Sequence, residues 1–157
     1  MTADPGSPAP FGSRPWAFPV NVTTTTDHME ITLLAFVVVD GLVRISGLVH
    51  LRRPDLRLAR APELAMAPVA GHSLTPVGTH VLPHGDLTWV SWDFERPAEV
   101  LVAYRGHVDR LVVGDRSGPR GEVDVRGPWT FGFRLSWRRI DTRRAHGTRT
   151  RLSHPDA

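Results

Sequence analysis

MEITLLAFVVVDGLVRISGLVHL, residues 29–51, decides the fold class. From Met29 to Val39 every odd position is apolar: Met29, Ile31, Leu33, Ala35, Val37 and Val39. The odd positions then resume as Val43, Ile45, Gly47, Val49 and Leu51. A period of two marks a half-buried strand, and Asp40-Gly41 between the runs is a strong hairpin signal. Parity selects the loop. A two-residue loop at Asp40-Gly41 pairs 39 with 42 and sets Arg44, Ser46 and His50 among the apolar odd residues of the first strand. The three-residue loop Val39-Asp40-Gly41 is a type I turn closed by Gly41 in the left-handed conformation, and it pairs 38 with 42 and 37 with 43. It predicts one buried odd face, Glu30 opposite His50 on the other face, and a positive φ at Gly41.

Outward from this hairpin the same period recurs. Trp16, Phe18, Val20, Val22, Thr24 and Thr26 alternate through a β-branched run that suits a strand. Residues 53–62 read as a connection bounded by two prolines, Glu63 to Val69 as a short strand, and Gly71 to Pro76 as a loop. Val77 to Leu82 reads as a strand with Pro83-His84-Gly85-Asp86 as its turn. Leu87 to Glu95 places Val90, Trp92 and Phe94 on one face and Trp89 on the other. Glu99 to Tyr104 and Val108 to Val113 read as two further strands, and residues 114–121 as a loop. Trp129, Phe131, Phe133, Leu135 and Trp137 alternate with polar or small residues, giving one face for a core and one for water. No window of helical length is free of Pro and Gly and periodic. Seven to nine short strands with frequent turns predict an all-β, antiparallel two-sheet β-sandwich of immunoglobulin-like type. The expected organisation is a flexible Pro/Gly-rich leader over residues 1–15, the sandwich over 16–137, and a disordered Arg-rich tail over 138–157.

Composition sets the limits on chemistry. A chain of 157 residues is one domain by default. The absence of cysteine excludes disulfides, thiol catalysis and Cys-type zinc sites. The longest apolar run, Leu33 to Val39, is too short to cross a bilayer, and no signal-peptide order opens the chain. A cytoplasmic location with no membrane span is the resulting expectation. All 19 basic residues are arginine. GC-rich coding accounts for that bias; selection for guanidinium forks that grip phosphate is the sharper alternative. Residues 134–157 carry seven arginines against Asp141 and Asp156, leaving twelve arginines against fourteen acids in residues 1–133. Arg138, Arg139, Arg143, Arg144, Arg149 and Arg151 are therefore the candidate polyanion contacts, with weak, salt-sensitive, sequence-independent binding to nucleic acid expected of them.

The closing block Gly127-Pro128-Trp129-Thr130-Phe131-Gly132-Phe133 resembles the last strand of immunoglobulin-like accessory domains of bacterial anti-sigma and cell-surface proteins. The resemblance implies a binding or sensing module and not an enzyme. It covers seven residues, and no site residue is carried over from it.

Other chemistry is sparse. His80, His84 and Asp86 supply two imidazoles and a carboxylate, the ligand types of a catalytic zinc or iron site, but Pro83 interrupts them. Gly78 to Gly85 resembles part of a cupin motif, yet Thr88 stands where that pattern has a histidine, and no His-x-His pair is present. Gly71-His72-Ser73 has the start of a nucleophile elbow but Thr75 where the second glycine belongs. Asp93, Glu95 and Glu99 are carboxylates that surface pairing with arginine explains. An exposed Trp89 suits stacking on a ligand or packing at a subunit contact. No catalytic, cofactor or metal residues are assigned. The favoured function is a non-catalytic module that binds a protein partner or assembles with itself. Nucleic-acid association through the tail, and a small ligand binder or metal-dependent enzyme with loop histidines, are the alternatives.

Overall fold

The computed structural model describes residues 16–26, 29–118 and 121–136. The expected leader and the arginine-rich tail, with Arg138, Arg139, Arg143, Arg144, Arg149 and Arg151, lie outside the described residues. The described chain forms nine strands: β1 (Trp16–Thr26), β2 (Met29–Val39), β3 (Leu42–Leu51), β4 (Leu56–Leu58), β5 (Ala65–Pro68), β6 (Pro76–His84), β7 (Leu87–Glu95), β8 (Ala103–Asp115) and β9 (Val123–Arg134). They build two antiparallel sheets, as the all-β sandwich expectation requires. The first has the order β1-β2-β3-β7-β6. In the second, β9 runs along one edge of β8, while β5 and β4 lie end to end along the other, opposite Tyr104–His107 and Val113–Asp115.

The β2–β3 hairpin corrects the parity argument. Val39 pairs with Leu42 and Val38 with Val43, so the loop is the two residues Asp40-Gly41 and not the three-residue loop. Gly41 does have a positive φ, 78°. The extra residue that parity demands sits inside β2: Leu33 faces Gly47 and Ala35 faces Ser46, which leaves Leu34 as a bulge. Odd residues Ile31 and Leu33 face inward before the bulge, and even residues Phe36 and Val38 after it. The polar residues of β3 thereby stay on the outer face. Glu30 falls opposite His50, as expected. Val20 and Asn21 of β1 bulge at the same level, with Asn21 at φ 50°.

Ile31, Leu33, Phe36, Val43, Ile45, Trp92 and Phe94 of the first sheet pack on Tyr104, Val108, Leu111, Trp129 and Phe131 of the second. Each such side chain contributes about 1.5–3 kcal/mol by leaving water. Trp92 Nε1 donates to the Pro62 carbonyl at 2.8 Å, which satisfies the one polar atom that its burial would otherwise leave bare. Two elements of the second sheet depart from expectation. A three-residue β4 forms within the stretch read as connection. The segments read as separate strands around Arg105-Gly106-His107 are one 13-residue β8, which begins only at Ala103. Gly106 is there because a Cβ would sit 2.5 Å from the Met66 methyl and 3.0 Å from the Ala65 carbonyl, a close approach of β5 and not a turn.

Candidate interaction surface

The two sheets cover one another unequally, and β6 is the element left outside. Leu87–Glu95 alternates cleanly, so β7 turns Val90, Trp92 and Phe94 inward and Trp89, Ser91 and Asp93 outward. β6 pairs with β7 through the two-residue loop Gly85-Asp86, with Gly85 at φ 63°. The strand runs through Pro83 and His84, which corrects the four-residue turn expected there. Of its nine residues only Thr79 is even half-buried. Leu82 is 66% and Trp89 47% exposed, and they are direct cross-strand neighbours, with half-buried Leu48 next in the same row. The split expected of Trp89 and Trp92 is present, since Trp92 is 2% exposed.

Beside this apolar row lies an ionic cluster. Arg44 grips Asp93 with Nε at 2.7 Å and Nη2 at 2.8 Å, a two-pronged charge-assisted pair. His80 Nε2 stands 3.3 Å from the same carboxylate. The Arg44 bonds hold the Asp93 carboxyl below its ordinary range; burial opposes this, and the Arg44 and His80 charges add to it. One row further, His50 Nε2 lies 2.9 Å from Asp86 Oδ2, and this contact holds the Asp86 carboxyl below its ordinary range.

These partnerships dissolve the metal grouping. His80 and His84 share a face of β6 but stand four residues apart, about 13 Å along an extended strand. His80 meets Asp93 and Asp86 meets His50. Among the described residues no three of His, Asp and Glu gather closely enough to hold a metal ion. Ser73 lines an open cleft of about 920 Å³ between β5 and β6, beside Met66 and Trp92. Among the described residues, Arg60 and Arg110, also on its wall, are paired with Glu122 and Asp124. Asp93 is committed to Arg44, so it does not stand as half of a carboxylate pair with Glu95.

Sequence reasoning missed the exposed edge of β6. Its signal was present in Pro76 and Pro83, because proline inside a strand pattern belongs to an edge. Among the described residues no helix is long and apolar enough to cross a membrane. No family model, no curated protein and no solved structure matches this chain.

Proposed function

We propose that this protein is a non-catalytic, immunoglobulin-like binding module that accepts an extended protein segment along β6. The observation that carries the reading is the edge itself. β6 has nine residues, no carboxylate and no arginine, and an exposed Leu82–Trp89 pair on the adjoining face. An open strand edge supplies main-chain hydrogen bonds to an incoming strand, and side chains beside it supply selectivity. Natural sheets blunt such edges with charge, shortness, proline, bulges or a covering segment; β6 carries Pro76, Pro83 and a bulge at Val77 but keeps residues 78–82 in regular register with β7. His80, His50, Asp86 and Asp93 near the edge are engaged with Arg44 or with one another, which favours a structural role for them over catalysis. The cytoplasm suits a chain without cysteine.

A photoreactive phenylalanine analogue at Leu82, in the cells that make the protein, tests this reading. A discrete cross-linked product at 82 that is absent when the same analogue replaces Val123 on β9 is the expected result. Identical products from both positions, or none from either, overturn it.

A further inference from the structure

Resting on that reading of the β6 edge, we infer that its occupant is a second copy of this chain, paired β6 to β6 antiparallel about a twofold axis at His80. The hydrogen-bond pattern of the strand sets which groups an antiparallel copy can meet. In a two-residue hairpin the closing pair, here His84 and Leu87, exchanges both main-chain bonds. Alternation then turns the backbone of 82, 80 and 78 toward β7 and that of 83, 81 and 79 toward the open side. Pro83 agrees with this phase, because a residue without an N–H fits only where the ladder needs none. The edge therefore offers the amides of Thr79 and Val81 and the carbonyls of 79, 81 and 83.

An antiparallel copy centred on residue 80 sets Thr79 against Val81 of the other chain, twice, and satisfies all four amides. Centring on 81 also satisfies these four amides, through the carbonyls of 81 and 83, but it opposes Thr79 to Pro83 and leaves the Thr79 carbonyls without a donor. Residue 80 is also the midpoint of Pro76–His84 and of residues 78–82, the stretch beyond the bulge at Val77 that this register overlaps with its copy. The symmetry is closed, which limits growth to a dimer.

Gly78 provides a second, independent observation. Its φ lies outside the left-handed region that favours glycine, and a Cβ there meets nothing within 4 Å. Gly78 follows a bulge at Val77, and among the described residues no neighbour crowds the place of its Cβ. In the proposed register Leu82 of the other chain lies directly across from it, on the outer face, and takes the vacant space. Thr79 and Val81 meet on the inner face as a β-branched pair. The other edges are short or abutted: β4 and β5 have three and four residues, and β1 lies against β9, where Thr24 Oγ1 donates to the Thr130 carbonyl at 2.7 Å. Pairing at β6 joins two five-stranded sheets into one of ten strands, within the range of open sheets.

The chain has no cysteine, so single cysteines report proximity without background. At the twofold, the two residues 80 face one another as a non-hydrogen-bonded pair with Cα atoms about 4.5 Å apart, within disulfide reach. With oxidised glutathione, His80→Cys is expected to form a covalent dimer on the order of a hundredfold faster than Val123→Cys, because paired thiols meet at high effective concentration. In sedimentation the parent is expected to be dimeric, and Val81→Pro and Gly78→Val monomeric, each still melting in one cooperative transition that is lowered only by the lost association. Equal cross-linking at 80 and 123, or a dimer that survives Val81→Pro, overturns the inference. A monomeric parent that still gives a discrete hetero-protein adduct from Leu82 overturns self-pairing and leaves the edge as a binding site. A monomeric parent with no adduct overturns both.

Discussion

The sandwich is closed along its β1–β9 side and open along its β5–β6 side. Both sides are made of the same materials: β-branched residues, threonines and a tryptophan from the core. On the closed side Trp129 Nε1 reaches across the sheets and donates to Thr26 Oγ1 at 2.9 Å, and Thr24 adds the bond to the Thr130 carbonyl. On the open side Trp92 makes its bond to Pro62 in a connection, so the indole ties a loop down and does not bridge to β6. One side is held by a side chain that spans two sheets. The other ends in a strand supported from one edge only. Closure depends on what each buried N–H reaches, more than on how apolar the strands are.

Truncation at the closed side should produce the largest effect. Trp129→Ala is expected to cost about 3–5 kcal/mol, with loss of the β1–β9 contact. Trp129→Phe should cost about 1 kcal/mol, because Thr26 loses its donor but much of the volume remains. Thermal melts of both variants check this; a Trp129→Ala protein as stable as the parent would show that closure does not depend on the indole.

Two glycines sharpen the comparison. A Cβ at Gly47, in the middle of the first sheet, would sit 2.7 Å from the Thr32 carbonyl oxygen and 2.9 Å from the Trp92 ring. Gly47→Val should cost about 1–3 kcal/mol. The same change at Gly78 on the open edge should move the stability of the monomer, at concentrations too low for association, by less than about 0.5 kcal/mol. Denaturant titration separates them, and equal costs would contradict the contrast.

Asp93, which faces the open side, ranks next. Its carboxyl is held below the ordinary value, chiefly by the Arg44 hydrogen bonds. Its contribution is therefore complete above the unfolded carboxylate range, near pH 4, and is lost as pH falls through the lower folded value. Arg44 is 44% exposed, so the pair contributes about 1 kcal/mol or less. The stability gap between the parent and Asp93→Asn should narrow between pH 6 and pH 3, both pH values being roughly chosen to bracket that range. A constant gap would assign the stabilisation to packing.

The smallest effect should have the opposite sign. Tyr104 stacks on Phe133 at 5.8 Å in the core, and among the described residues no group makes a hydrogen bond of normal geometry to its buried hydroxyl, the Leu101 backbone being the nearest to doing so. Burial pushes it up to about 12, against a weaker downward pull from the Leu101 backbone. Tyr104→Phe is expected to be neutral or to stabilise by about 1 kcal/mol, since it removes an unpaired buried group. A clear destabilisation in the melt would reveal a partner for the hydroxyl.

Strands whose alternation ran unbroken were legible from sequence. β7 has the bounds its pattern predicts, and Trp129, Phe131 and Leu135 are buried as expected. The bulge in β2 was hidden because Leu33-Leu34-Ala35-Phe36 is apolar throughout, so a change of face left no polar residue to reveal it. Arg105-Gly106-His107 resembled a break because a glycine that admits a neighbouring strand and a glycine that turns the chain look alike without the neighbour. The interaction surface was half visible. Trp89 was placed on the outer face, but the openness of β6 depends on where the second sheet ends, a long-range fact that no local pattern carries.

Leu34 bears on how this sheet is curved. Between Leu33 and Ala35 the second strand is one residue longer than the third, and between Pro19 and Val22 the first is longer again than the second. Path length grows outward across a single line, as it does around a bend, and a bulge of this kind adds twist and coil. Removing Leu34 alone would restore strict alternation against β3 with Leu33 and Phe36 still inward, and would leave Val20 and Asn21 unmatched. Removing all three would give three flush strands with the same inward residues apart from the partial packing of Val20. Such a shortened chain would keep its pattern of faces and lose its curvature, which places the bend of this sheet in chain length and not in composition.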